Sequence, residues 1–290
     1  MNFDFQYNKY LDCFNDAYKK AILNFDKIPT SLKESMIYAT IDGGKRIRPI
    51  LCLATADFLG VDLELVKPFA VALEFIHSYS LVHDDLPCMD NDDYRRGKLS
   101  THKKFGEAMG VLTGDALLSF AFELCLAKDN FTLSDAKALK VLADFSGFSG
   151  MITGQVLDLE NEKNNVYTEE LLNDIYINKT SKLLTAPLLI ASALAYGKYY
   201  NELNEFGFKL GLMFQICDDI LDEEGALTSI GKTPHKDKEV DKLTSIKVYG
   251  LDGAKAKAKQ YYSQCREILA KIKNSEFLQE FLDKIYIRKK

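Results

Sequence analysis

Several things are scarce in this chain. Six prolines and 17 glycines interrupt 290 residues, and period-2 alternation of apolar and polar positions is nearly absent. Half-buried strands therefore have little support, and apolar residues recur instead at helical spacing almost throughout. A basic excess is missing too. The formal net charge is −5, which argues against nucleic acid as a partner, since phosphate backbones reward a basic surface. The six cysteines (Cys13, Cys52, Cys88, Cys125, Cys217 and Cys265) never form a Cys-x-x-Cys pair. Widely scattered, they read as buried or incidental thiols in a reducing compartment, not as a disulfide frame or a zinc site. The start, Met1-Asn2-Phe3-Asp4-Phe5, lacks the basic-then-apolar layout of a signal peptide. The most apolar segment, Leu183 to Tyr196, is too short to span a bilayer. The expectation is a soluble, cytoplasmic protein without stable membrane insertion.

What is present is a hydrophobic fraction of 47%, ample for a core. The spacing predicts an all-α protein with one domain, 1–290, of roughly ten or more helices. Predicted helices run from about Phe5 to Phe25, from a Ser31/Glu34 capping box, from Pro49 to Leu59, and from Glu64 to Leu86, where Pro87 ends the pattern. Residues Asn91 to Lys104 read as a charged loop. Helices resume over Lys104–Ala127, Ser134–Glu160, Thr168–Leu194 and Glu202–Leu221. Glu223–Thr244 is polar and reads as a long functional loop, and helices over Gly253–Ile272 and Ser275–Ile285 close the chain.

Two acidic stretches stand out. The first is His83-Asp84-Asp85-Leu86-Pro87-Cys88-Met89-Asp90, with Arg95-Arg96-Gly97 shortly after it; the second is Gln215-Ile216-Cys217-Asp218-Asp219-Ile220-Leu221-Asp222. Phe206, Leu210, Met213, Cys217 and Ile220 lie at helical spacing on one face, and Gln215, Asp218 and Asp222 form a separate polar stripe. Asp218 and Asp222, four apart, repel unless a cation sits between them. A lone Asp-Asp is commonly a solvated helix end. Two such clusters on apolar helices favour a shared metal–phosphate site, because Mg²⁺ prefers carboxylates plus a substrate's phosphate oxygens. The working picture is two metal-bearing walls facing one diphosphate. Gly147, Gly150, Gly154 and Asp158 form a further stripe, consistent with close helix packing or with a cleared channel. Lys45, Arg46 and Arg48 follow a Gly43-Gly44 turn and suit a phosphate cradle, although Walker-loop spacing is missing. Lys179, Lys232 and Lys242 sit singly near Thr180, Gly231 and Asp241. The histidines (His77, His83, His102, His235) are too scattered for zinc. The outlying ligands of an HD-type phosphohydrolase are not evident around His83-Asp84.

Gly-Gly-Lys-Arg-Ile-Arg-Pro, Asp-Asp-x-x-x-x-Asp with Arg-Arg-Gly, Gly-Gln-x-x-Asp, Lys-Thr and Gln-x-x-Asp-Asp-x-x-Asp occur in this order from Gly43 to Lys242. In this the sequence resembles the trans-polyprenyl diphosphate synthases. The resemblance implies a helical bundle of the isoprenoid-synthase type around a deep central cavity, and a homodimer. It implies that Asp84, Asp90 and Asp158 hold two Mg²⁺ ions and Asp218 a third, with Asp85 and Asp222 beside them, on an allylic diphosphate. Arg95, Lys179 and Lys232 would contact that diphosphate. Lys45, Arg48, His77 and Arg96 would bind isopentenyl diphosphate, Thr180 and Gln215 would flank the allylic carbon, and Lys242 would lie near the site.

Tyr79 and Ser80, five and four residues before Asp84, would lie roughly 6 to 8 Å below the metals at about 1.5 Å per residue. Tyr79, with two extra residues between Asp84 and Asp90, resembles the bacterial farnesyl diphosphate pattern; Tyr79 as ordinary core packing is the plain alternative. The rivals are a geranylgeranyl or other chain-length synthase, a terpene cyclase, and a non-catalytic subunit of a heteromeric synthase.

Overall fold

The structure is a computed structural model and describes residues 2–41, 44–229 and 242–288. Among the described residues the regular structure is helical apart from one two-stranded hairpin, with turns and short loops between the elements. The chain divides into two compact units, Met1–Leu139 with Ala193–Tyr196, and Lys140–Ser192 with Gly197–Lys290.

The first unit contains α1 (Phe3–Ile22), a 3-10 turn (Leu23–Lys27), α2 (Thr30–Ile41), α3 (Ile47–Leu59) and α4 (Leu63–Asp84). Strands β1 (Tyr94–Arg95) and β2 (Lys98–Leu99) then lead to α5 (Thr101–Phe105) and α6 (Glu107–Leu126). Helix α4 is apolar on nearly every side and packs against α1, α2, α3 and α6, as an all-round apolar helix must. Asp62 caps its start by accepting from the Glu64 amide. Phe75 of α4 lies 5.9 Å from Tyr18, 6.2 Å from Phe25 and 5.7 Å from Phe120, so one ring ties three other elements to α4. Length and composition single out α4 and α6, not 183–196, as helices able to cross a bilayer. The apolar window of α4 is 67% buried as a core helix, whereas that of α6 is 33% buried and leaves Val111 and Leu112 exposed.

Helix α7 (Leu133–Ser146) precedes a turn to α8 (Met151–Asn164). This corrects the expected single helix from Ser134 to Glu160. The chain breaks over residues 147–150, where glycine at both ends offers the least helical support, so Gly147 and Gly150 leave the stripe. Gly154 and Asp158 stay together on α8. Helix α9 (Glu169–Ile175) and α10 (Lys182–Leu194) are joined by a π-helical turn, Tyr176–Ser181, inside the span expected to be one regular helix. The second unit continues with α11 (Tyr200–Ser229), α12 (Ser245–Leu269) and α13 (Glu276–Tyr286). Phe206, Leu210, Met213 and Cys217 of α11 are buried, as their spacing requires, and the helix runs past Leu221 to Ser229. Helix α12 starts well before Gly253 and kinks at Gly250.

Close approach decides between the two readings of Gly154. A Cβ there would stand 2.2 Å from the Lys179 nitrogen, so α8 presses directly on the π turn. Gly211 of α11 meets the same turn, with 2.3 Å to the Ser181 Cα. Gly154→Ala should therefore cost about 1–3 kcal/mol of stability in urea unfolding. Gly225→Ala, helical and with nothing within 4 Å, should gain up to about 1 kcal/mol. Equal effects at the two positions would contradict close packing at Gly154.

Candidate functional site

The first acidic stretch sits where elementary electrostatics disfavours it. Asp84 is the last residue of α4 and Asp85 its C-cap, so two carboxylates stand at the negative end of a helix macrodipole. The turn after Leu86 folds the chain back, and the Asp90 amide donates to the Asp84 carbonyl at 2.8 Å. Pro87 thus reverses the chain and brings Asp90 to Asp84. Asp84 and Asp90 remain half-exposed, while Asp85 is 2% exposed. Asp85 is neutralised by Arg95, whose Nε donates to its Oδ1 at 2.8 Å and whose Nη2 reaches both Asp85 and, at 3.1 Å, Asp92. Arg95 comes from the hairpin in a stretch expected to be loop. The Arg96-Gly97 turn is left-handed at both residues, the geometry that joins two-residue hairpins. Burial raises the Asp85 pKa and Arg95 opposes it. The sequence places Asp85 among the metal ligands; in the fold its Oδ1 is taken by Arg95.

The cations of the first unit gather nearby. Lys45 and Arg48 flank the start of α3, His77 lies on α4, and Arg96 is on the hairpin turn. The Arg48 Nε is buried and makes no hydrogen bond. Burial, then the charges of Arg48, Arg96, Arg46 and Arg95, hold the His77 pKa well below its ordinary value, so its ring is neutral at physiological pH. Tyr79 is 5% exposed, packs edge-on against His83 at 5.8 Å, and has a buried hydroxyl with no partner. Burial and then the Asp84 charge push its pKa up to about 12. The Ser80 hydroxyl donates to the His77 carbonyl at 2.9 Å.

The second unit repeats the arrangement at Asp218-Asp219. Asp219, absent from the sequence-derived candidates, is 8% exposed and accepts from the Ser245 amide and hydroxyl, both at 2.7 Å, and from the Tyr176 hydroxyl. Burial raises its pKa, opposed by those hydrogen bonds. Asp219 thereby clamps the first residue of the π turn to the first residue of α12. The same turn carries Lys179, which donates to Asp158 at 2.6 Å, and Thr180, which donates to Gln215 at 3.1 Å; Gln215 in turn donates to Asp219 at 3.3 Å. π turns recur at functional sites because the extra residue re-aims side chains. Asp218 is paired with Arg288 at 2.5 Å, and that guanidinium also donates to the Phe214 carbonyl at 2.9 Å. Asp222 is exposed one turn on, and Lys242 stands 4.0 Å from Glu162. Lys232 lies outside the described residues.

Sequence reasoning missed Asp219, Tyr176, Ser245, Arg288 and Glu74, a buried acid of α4 paired with Arg46. Two of these carried a signal. Asp219 is three residues beyond buried Ile216, and Glu74 lies inside the apolar run 69–76, so helical spacing turns both inward. Nothing in the sequence marks Arg288.

Among the described residues, no three His, Cys, Asp or Glu side chains converge into a ready-made metal centre. The donor set still fits Mg²⁺, which binds through one or two carboxylates and completes its octahedron with water and phosphate oxygens. Asp84 with Asp90, and Asp158 and Asp218 separately, offer such partial sets.

Two measurements test this geometry. Asp219→Ala should lower unfolding stability by roughly 3 kcal/mol, whereas Asp222→Ala should stay within about 0.5 kcal/mol; a small loss at Asp219 would contradict the clamp. For His77 the folded pKa lies below the unfolded one, near 6.5. The unfolded chain then takes the proton first, so stability present above that pH is lost as pH falls through the window beneath it. His77→Gln should flatten that acid-side loss, and an unchanged pH profile would contradict a ring held neutral.

The polyprenyl synthetase family model matches residues 29–284. A farnesyl diphosphate synthase of Micrococcus luteus is 43% identical over 245 residues, covering 83% of this chain and 84% of that protein. Geranylgeranyl pyrophosphate synthase 4 of Arabidopsis thaliana is 40% identical over 276 residues, covering 92% and 73%. A geranyltransferase structure from Legionella pneumophila superposes with a TM-score of 0.84 at 30% identity, covering 98% and 96%. One from Helicobacter pylori, complexed with magnesium and isoprenyl diphosphate, gives 0.77 at 30% identity, covering 95% and 96%. Motif order, helical architecture and these similarities agree: the chain belongs to the polyprenyl synthetase family and is a trans-prenyl diphosphate synthase with the all-α isoprenyl synthase fold.

Proposed function

We propose that this prenyltransferase condenses isopentenyl diphosphate with dimethylallyl and then geranyl diphosphate, giving (2E,6E)-farnesyl diphosphate and pyrophosphate. The observation that carries the C15 length is Tyr79, a bulky buried side chain five residues before Asp84 on the same helix. At about 1.5 Å of rise per residue it lies roughly 7.5 Å along the axis from Asp84, comparable to one added isoprene unit. Its relatives include both farnesyl and geranylgeranyl synthases, so the product itself is the decisive readout.

In this reading Asp84, Asp90, Asp158 and Asp218 hold three Mg²⁺ ions with the allylic diphosphate bound. When bound, Mg²⁺ supplies positive charge that stabilises the departing diphosphate. Arg95, Lys179 and Lys232 bind the same leaving group, and preorganised cations favour the charge as it develops. Lys45, Arg48, His77 and Arg96 hold the second diphosphate, that of isopentenyl diphosphate. Thr180 and Gln215, already hydrogen-bonded to each other, stand beside the allylic carbon, with Lys242 near them. The allylic C–O bond breaks, the isopentenyl double bond attacks the allylic carbon, and pyrophosphate takes the proton lost in restoring the alkene. Exclusion of water protects the cation.

The family match runs through both compact units, which supports one synthase domain over 1–290. The exposed Val111 and Leu112 of α6 support a homodimer, and six free cysteines support a cytoplasmic setting.

With Mg²⁺, isopentenyl diphosphate and geranyl diphosphate, the purified chain should release C15 diphosphate; a C20 product would overturn the farnesyl assignment. Asp84→Ala or Asp218→Ala should lower turnover on the order of 10²-fold or more, and a near-normal rate at saturating Mg²⁺ would remove the metal assignment. Tyr79→Ala should lengthen the product, while an unchanged C15 profile would place the floor elsewhere.

A further inference from the structure

The cations of the first unit are organised around an acid to which no role is yet assigned. Arg46 is a non-glycine residue in left-handed conformation, φ +45°, at the N-cap of α3. Such backbone costs on the order of 1 kcal/mol or more and persists only where its surroundings hold it. Here the guanidinium donates to Glu74 at 2.5 Å and to the carbonyls of Thr40 and Ile41, at 2.7 and 3.2 Å, at the C-terminus of α2. It also lies 5.5 Å over the Phe14 ring. The two side chains are 10% and 3% exposed, so Arg46 is a buried clasp and not a phosphate arm.

The clasp fixes the turn beside it. The Tyr7 hydroxyl donates to the Lys45 carbonyl. Gly44 has φ +95°, and a Cβ there would stand 3.0 Å from the Arg96 guanidinium, so that guanidinium lies against the turn. Glu74 also opposes the downward pull of burial on the Arg48 and Arg96 pKa values. One buried carboxylate therefore stands among cations drawn from two places in the sequence, the segment 46–48 and the hairpin turn at Arg96.

We propose that Glu74 is a positioning residue for isopentenyl diphosphate: through Arg46 it fixes the Gly44-Lys45 turn and the start of α3 so that Lys45, Arg48 and Arg96 meet one diphosphate. The proposal rests on the assignment of those cations to isopentenyl diphosphate made above. Its sign is unusual. Judged by charge alone, a carboxylate near an anion site weakens binding, and removing it should tighten the substrate. Judged as a positioning group, it prepays the ordering of the cationic turn, and removing it should weaken the substrate.

Glu74→Gln separates the two. The KM for isopentenyl diphosphate should rise about tenfold, the scale of one misplaced hydrogen bond to a charged group, with the allylic KM within about twofold and kcat within about threefold. An isopentenyl KM that is unchanged or lower in the folded variant overturns the proposal, including the case where only the melting temperature falls. Should Glu74→Gln fail to fold, Arg46→Lys keeps the ion pair but loses the fork to Thr40 and Ile41. It should show the same selective rise, and a folded Arg46→Lys with unchanged isopentenyl KM overturns the proposal equally. Arg48→Gln isolates the underlying assignment. No rise in isopentenyl KM there removes the anion site itself, whereas a rise there with none at Glu74 removes the positioning role alone.

Discussion

Several carboxylates of this chain are held in apolar helices, and a buried carboxylate persists only where cations or hydrogen-bond donors offset its lost hydration. Each Asp-Asp pair meets that constraint by dividing its members. The second aspartate turns inward and is saturated by the protein: Asp85 by Arg95, Asp219 by Tyr176 and Ser245. The first aspartate is left more open, Asp84 on the turn shared with Asp90 and Asp218 against Arg288. The inner residues hold backbone in place, and the outer ones, Asp84 and Asp218, keep partial contact with solvent.

That division explains why irregular backbone accumulates at these points. The hairpin exists where Arg95 must return to the end of α4, and its left-handed Arg96-Gly97 turn sets that return. The π turn exists where Lys179 and Thr180 leave a regular helix to reach Asp158 and Gln215, and Asp219 anchors its first residue. The strained Arg46 turn has the same character, with Glu74 as its anchor. In each case a buried acid holds a short irregular segment that carries cationic or polar side chains.

The helical nature of the chain, the amphipathic stripe of α11 and the pairing of Asp84 with Asp90 were legible in the sequence because each rests on local periodicity or on one proline. The break over residues 147–150 and the π turn were not. Glycine spacing reads as a continuous helical face until the chain is seen to turn, and a π turn has the same composition as the helix around it. Arg288 was illegible for another reason, since its partner Asp218 lies 70 residues away and only the packed chain brings them together. The inward acids occupy an intermediate position. Their helical phase points into the core, but the identity of the neutralising partner is a long-range property.

The division of the aspartates is tested most directly by counting ions. With an unreactive allylic diphosphate analogue, the Mn²⁺ bound per chain, followed by electron paramagnetic resonance, should fall in Asp84→Asn and Asp218→Asn. It should stay at the wild-type count in folded Asp85→Asn and Asp219→Asn, whose melting temperatures drop instead. Loss of an ion in the inner variants with full retention in the outer ones would contradict the account.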